Sequence, residues 1–407
     1  MRAFSGSRLY LFAVAVLLTS VTFDALFTPI SAQTVTSAEE REALLVPGNL
    51  AELEGAISEI RALLDEMENS DPEGGWITNG KADYQAKLNT ELAALLDIFS
   101  GSEYEETRSE LTKFDLVIRS GQDQMERLKT DLRLAPIGNG QLSLVDRALM
   151  RDAASGSENA IKADIAATQG RIDIARTART EIIAKFIDVM AVRFNFILSE
   201  DQAKALLYQV NGFSIVQSKI IFETVVALEN HLRASLDNNS GASAVQRYYS
   251  VAAVSRLMLV RMYQIHREQY KERWLPGLAK IEAQNEDLMT STRISISEAK
   301  TQSQRAQLEN NLKIQEKTSG AILVYQNLLE KRLQNTLRGL EMSEREAAVA
   351  INTLKTLEGV FGLSAEMLNN TSEYETLMLL NSPELLPLDG EMLDQSYIAL
   401  NQKLGES

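Results

Sequence analysis

The chain has 407 residues, 41 basic against 56 acidic side chains, a net charge of −15 and no cysteine. Without cysteine there is no disulfide, no thiol nucleophile, no thiolate metal site and no lipid-bearing cysteine behind a leader, so the fold is held by packing alone. Acidic ends flank a mildly basic centre: 10 basic against 22 acidic residues in 34–135, 26 against 21 in 136–340, and 3 against 12 in 341–407. No concentrated basic field exists, which argues against nucleic acid as a partner.

Arg2 and Arg8, the apolar run Leu9–Leu18, and Ile30-Ser31-Ala32 before Gln33 have the three-part layout of a secretory leader. The run of about ten residues falls short of the roughly 20 needed to span a bilayer. Asp24 interrupts any extension. Residues 1–32 are therefore read as a signal peptide cleaved at Ala32-Gln33, releasing a periplasmic chain. The alternative is an uncleaved anchor over Leu9–Ile30 at the inner membrane.

There are seven prolines, and 137–275 and 277–382 contain none. With Ala, Leu, Glu, Gln, Lys and Arg prominent and aromatics few, this predicts an all-α chain: an elongated antiparallel helical bundle with coiled-coil arms and little or no β-structure.

Ser37 to Glu40 forms a capping box for a short helix that should stop before Pro47. Asn49 then starts a second helix, whose residues Leu50, Leu53, Ile57, Ile60, Leu64 and Met67 fall at steps of three and four. Asp71-Pro72-Glu73-Gly74-Gly75 ends it. Tyr84, Leu88, Leu92, Leu95 and Phe99 mark the next helix. Tyr104, Thr107, Leu111, Phe114, Ile118, Gly121, Met125, Leu128 and Leu132 mark the third, with Gly121 either a close helix approach or a weak spot. The segment Pro136-Ile137-Gly138-Asn139-Gly140 reads as a linker. It divides an acidic helical module, 33–135, from a long-helix core module, 136–340.

A helix over about 157–198 carries Ile161, Ile165, Thr168, Ile172, Ala175, Arg179, Ile182, Phe186, Val189, Arg193 and Phe196 on one line, with the two arginines weakening the seam. Ser199 and Gln202 form a capping box for another, with an interruption at Asn211-Gly212 and a turn at Asp237–Gly241. Helix resumes at about 243–274, bends or restarts at Pro276, and runs unbroken to Gly339. Its polar middle, 289–307, makes it the most exposed part of a long arm. Residues 341–407 form an acidic helical tail.

Only two histidines exist, His231 and His266, and neither has glutamate three residues before it, so the Glu-x-x-His pairs of di-iron bundles are missing. Both read as residues on helix surfaces or flanks. No phosphate-binding loop and no nucleophile elbow appears. The sequence therefore offers no catalytic residue, no metal ligand and no cofactor site.

One stretch stands out: Arg247, Tyr248, Tyr249, Arg256, Arg261, Tyr263, Arg267, Tyr270, Lys271, Arg273 and Trp274, around the apolar run Leu257–Val260. Interleaved rings and cations suit peripheral contact with an anionic membrane surface, or an acidic protein surface. The plainer alternative is a bundle core, with the rings packed inside and the arginines paired to acidic neighbours. The function expected from these features is a non-enzymatic, exported helical scaffold or adaptor of the cell envelope. It would act through coiled-coil contacts with protein partners or through self-association. A membrane-anchored ligand-binding or sensory domain, and a periplasmic component of an envelope transport or secretion assembly, are the alternatives.

Overall fold

A computed structural model describes residues 38–70, 80–100, 103–134, 158–238, 242–359 and 404, all within the unit Val35–Ser407. The expected leader, Ser37, the expected 71–75 loop and 136–140 linker, residues 239–241 of the expected turn, and the residues beyond Gly359 apart from Leu404 lie outside the described residues. Those described form helices and their connections, with no strand among them.

Helix α1 spans Ala38–Asn69 and runs through Pro47 and Asn49, where a stop and a fresh start were expected. Proline removes one helical hydrogen bond and costs on the order of 3 kcal/mol. Burial of the stripe that follows offsets this, since Leu50, Leu53, Ile60 and Leu64 are all enclosed. Helix α2 (Lys81–Ser100) buries Leu88, Leu92, Leu95 and Phe99 as its spacing predicts. Helix α3 (Glu103–Leu134) packs along α4 (Glu158–Phe194). Gly121 sits where a Cβ would lie 2.7 Å from Ile172 Cγ1, so it is a close helix approach.

Along α4 the buried line drifts from the expected Ile182, Val189 and Arg193 to Ile183, Met190 and Phe194, while the expected Phe196 is buried just beyond the end of the helix. A straight helix turns away from a strict heptad by about 20° per repeat, which accounts for the change. The drift moves Arg193 beside the seam, where it pairs with Glu103, while Arg179 pairs with Asp115 at 3.3 Å. The two arginines thus tie α4 to α3. Asn195, at φ 47°, adopts the left-handed conformation that asparagine tolerates and ends the helix.

Helix α5 (Glu200–Tyr208) opens with the expected box: Gln202 N–H donates to Ser199 Oγ at 3.2 Å, and Ser199 N–H donates to Gln202 Oε1 at 2.9 Å. After a break at 209–211 comes α6 (Gly212–Asn238). Helix α7 (Ala242–Glu268) runs into a π-helical turn, Gln269–Trp274, and then into α8 (Leu275–Glu298). The wider turn directly precedes Pro276. There Leu275 N–H reaches back five residues to the Tyr270 carbonyl, which accommodates the proline without ending the helix.

The unbroken helix expected from 277 to 339 is a hairpin. The chain leaves helix at 299–301 and returns as α9 (Gln302–Gly359), packed against α8. Thr301 Oγ1 accepts from Gln304 N–H at 3.2 Å and caps the new helix. Helix α9 then continues through Gly339, where the expected break is absent because the missing side chain makes room for the Tyr263 ring.

Leu50–Phe99 from α1 and α2, Ile221–Tyr263 from α6 and α7, and Leu340–Leu354 from α9 meet in the largest apolar core. A second core joins the base of the α3–α4 pair to α5 and the start of α6. A third joins Val210, the π turn and the base of the α8–α9 hairpin.

Candidate functional site

The eleven residues of the basic and aromatic stretch do not share one surface. Tyr248, Tyr249, Tyr263, Tyr270 and Trp274 are buried, and Tyr248 with Tyr249 and Tyr270 with Trp274 pack edge to face. Arg256 is buried and pairs with Glu229, while Arg247 pairs with Glu54 across to α1. Arg261 and Arg267 both approach Glu268, at 3.6 and 3.8 Å. Lys271 and Arg273, on the π turn, are solvent-exposed, as is Arg247. In the folded chain the rings thus face inward, while four of the cations on α7 meet glutamates of α1, α6 and α7 itself.

The same stretch instead lines a polar centre. Where α5 breaks into α6, tyrosine hydroxyls from three other elements hold the backbone and its side chains. Tyr104 donates to the Leu206 carbonyl at 2.8 Å. Val210 N–H donates to Tyr325 Oη at 3.2 Å, and Asn211 Nδ2 to Tyr270 Oη at 3.1 Å. Gly212 is required here, since a Cβ would lie 1.8 Å from the Leu206 carbonyl oxygen. One turn on, Ser214 Oγ donates to Gln269 Oε1 at 2.9 Å, and Gln217 Oε1 lies 3.2 Å from His266 Nε2. The oxygen there accepts, so the neutral ring carries its proton on Nε2.

His266 was expected on a helix surface; it is buried, because its position on α7 faces α6 rather than water. Burial lowers its pKa to about 3 and keeps the ring uncharged. Burial likewise pushes Tyr270 up to about 12, against the opposing pull of the Asn211 hydrogen bond and the Arg332 charge.

Ser214, Ile215, His266, Tyr270, Arg332, Asn335 and Thr336 line a small, half-open cavity. About 10 Å³ of it is open to the centre of a water molecule, room for a particle of roughly that size. Ser214 directs its proton to Gln269 rather than to His266, so the two do not form a nucleophile and base pair. Sequence reasoning reached His266 and Tyr270 but missed Ser214, Gln217, Arg332 and Thr336. The available signal was the row Asn211, Ser214, Gln217 and Ser218, polar residues at helical spacing along 211–228, a stretch rich in Ile, Val and Phe.

The second notable feature is the α8–α9 hairpin. From Glu286 to Ala321 no side chain is fully buried, so this stretch has two helices and no third layer over it. Polar contacts close it: Asn285 Nδ2 donates to the Gln315 carbonyl at 2.9 Å and to Ser319 Oγ at 2.8 Å, and Gln315 Nε2 to Thr292 Oγ1 at 3.1 Å. Apolar residues meanwhile remain in solvent, with Leu288 57 %, Ile294 55 % and Ile314 47 % exposed.

Among the described residues no group of three or more His, Asp or Glu side chains is placed to hold a metal, and no helix is long and apolar enough to cross a membrane. Comparison with known proteins finds no matching family model, no matching curated protein and no matching solved structure.

Proposed function

We propose that this protein is a non-enzymatic helical adaptor of the cell envelope, exported by its leader, which holds partner helices along its α8–α9 hairpin. The observation that carries this reading is the hairpin itself. Its seam is closed by amide and hydroxyl contacts, while Leu288, Ile294 and Ile314 stay outside. Apolar side chains left on a two-helix arm without a covering layer are the surface that a third helix would bury.

The test is mild crosslinking in the native envelope, comparing the wild-type chain with a Leu288→Ser, Ile294→Ser, Ile314→Ser variant of unchanged helicity. A discrete adduct lost in the variant supports the reading. Identical adducts from both chains, or a cytosolic product that keeps Met1, overturn it. A crosslinked homodimer would make the partner a second copy.

A ligand-binding or sensory domain is the second reading, favoured by one observation: the cavity between α6, the π turn and α9, into which several polar groups converge.

A further inference from the structure

We propose that one face of the α8–α9 hairpin is a self-association surface, and that its occupant is the same face of a second copy of this chain. The inference rests on the adaptor reading for its choice of hairpin and goes further in naming the face and the partner.

The two sides of the hairpin differ in charge. Its seam is fixed where Asn285 and Thr292 of α8 meet Gln315 of α9. Successive residues turn by about 100° around a helix, so Arg293 and Glu316, each one residue past a seam position, lean to one side. They meet there at 3.9 Å. Leu288, three residues past Asn285, lies about 60° to the opposite side of its helix, and Ile314, one residue before Gln315, about 100°. Leu288 and Ile314 therefore share the face away from that ion pair, at one level across the seam. Ile294, about 200° round from Thr292, points away from both.

The shared face holds no charge. On α8 it continues through Gln284, Ser291 and Ser295, and on α9 through Gln307, Asn311 and Thr318, at steps of three and four from Leu288 and Ile314. All of these are exposed or half-exposed. An acidic or basic helix would find no counter-charge on this face, and a membrane or nucleic acid would find no cation.

A second copy fits it. Amide and hydroxyl side chains both donate and accept, so the face can satisfy itself. In a two-fold contact residue i meets j while j meets i, and Leu288 with Ile314 then covers the same two residues of the other copy. The chain as a whole carries −15, which drives copies apart, but 284–320 holds 5 acidic and 5 basic residues and is neutral. Two copies can thus approach along this arm without adding to their repulsion. A face roughly 22 Å long and two helices wide buries only about 800 Å² in total, so the dimer is reversible, with a dissociation constant on the order of tens of micromolar.

The experiment is sedimentation of the purified full chain from about 1 to 300 µM, a range that brackets that constant. The expected result is a monomer–dimer equilibrium. Leu288→Lys with Ile314→Lys should weaken it by about 10-fold or more, because the lysines would be buried without partners. Ile294→Lys should leave it unchanged. All three positions are exposed, and circular dichroism checks that the helices persist in each variant. Raising sodium chloride from about 0.05 to 0.5 M should strengthen the dimer, since salt screens the repulsion between acidic copies and no interfacial ion pair is lost. A monomer throughout the range, an equal loss in Ile294→Lys, or a dimer that salt dissociates overturns the proposal. If that monomer still gives a crosslinked adduct with a different protein in the envelope, the second copy is excluded while the adaptor reading stands.

Discussion

Gly339 lies inside the 58-residue helix α9, and the structure assigns its lack of a side chain a specific cause. A Cβ there would sit 2.4 Å from Tyr263 Cε1 and Cζ and 2.8 Å from Oη, more than 1 Å inside ordinary contact. Tyr263 has no room to retreat. It is wholly enclosed, and its ring is tilted against Phe222 with centroids 6.4 Å apart. Gly339→Ala gains about 1 kcal/mol of helix propensity and meets an overpacking cost of about 1–3 kcal/mol, with the upper part of that range applying to a rigid ring. The net result should be a loss of about 1–2 kcal/mol.

Gly320, in the same helix, has nothing within 4 Å of its Cβ position. Gly320→Ala should therefore stabilise by about 0.5–1 kcal/mol. The two substitutions are chemically identical, share one helix and differ only in what the new methyl meets. Thermal melts and urea midpoints of both variants read the sign of each. Adding Tyr263→Leu to Gly339→Ala should remove most of the clash, so the pair should be non-additive. If Gly339→Ala melts together with Gly320→Ala, or above it, α7 and α9 are not as close as described and the reasoning fails.

Three further outcomes follow from the polar contacts. His266 has a folded pKa of about 3 against an ordinary value near 6.5, so the unfolded chain binds its proton first. The stability this gives is complete above about pH 6.5 and is lost as pH falls toward 3, at about 1.4 kcal/mol per pH unit. Urea midpoints at pH 7.5 and 5 should accordingly differ more in wild type than in His266→Gln, and equal differences would remove His266 as the cause. Tyr104→Phe deletes the hydroxyl that donates to the Leu206 carbonyl and should cost about 1–2 kcal/mol in the same assay. Thr301→Ala removes the cap of α9 and should raise amide exchange in the first turn after residue 301, with about 1 kcal/mol lost locally and the buried half of α9 unaffected.

The helical nature of the chain was legible because its cause is local. Stripes at three- and four-residue spacing in α1, α2 and α3 named residues that are buried or, like Ile57, Tyr84 and Phe114, half-buried, and the Ser199–Gln202 box capped the helix it announced. What escaped was set by partners distant in sequence. Pro47 reads as a stop in isolation, and only the packing of Leu53 and Ile60 shows why the helix continues. Gly339 reads as a break until Tyr263, 76 positions earlier, is seen against it.

The hairpin tip is a different kind of miss, because its signal was present: Thr301 and Gln304 have the spacing of the box read correctly at Ser199 and Gln202. It was hidden by the surrounding polar run, where a cap has no apolar stripe to stand out against. The same run that obscured the turn also explains what the hairpin does not do. With threonine, asparagine, serine and glutamine along its seam, α8 and α9 are held by direction-specific contacts rather than by burying Leu288, Ile294 or Ile314. A seam of that kind keeps two helices paired without consuming their apolar residues, and those residues then remain available to another helix.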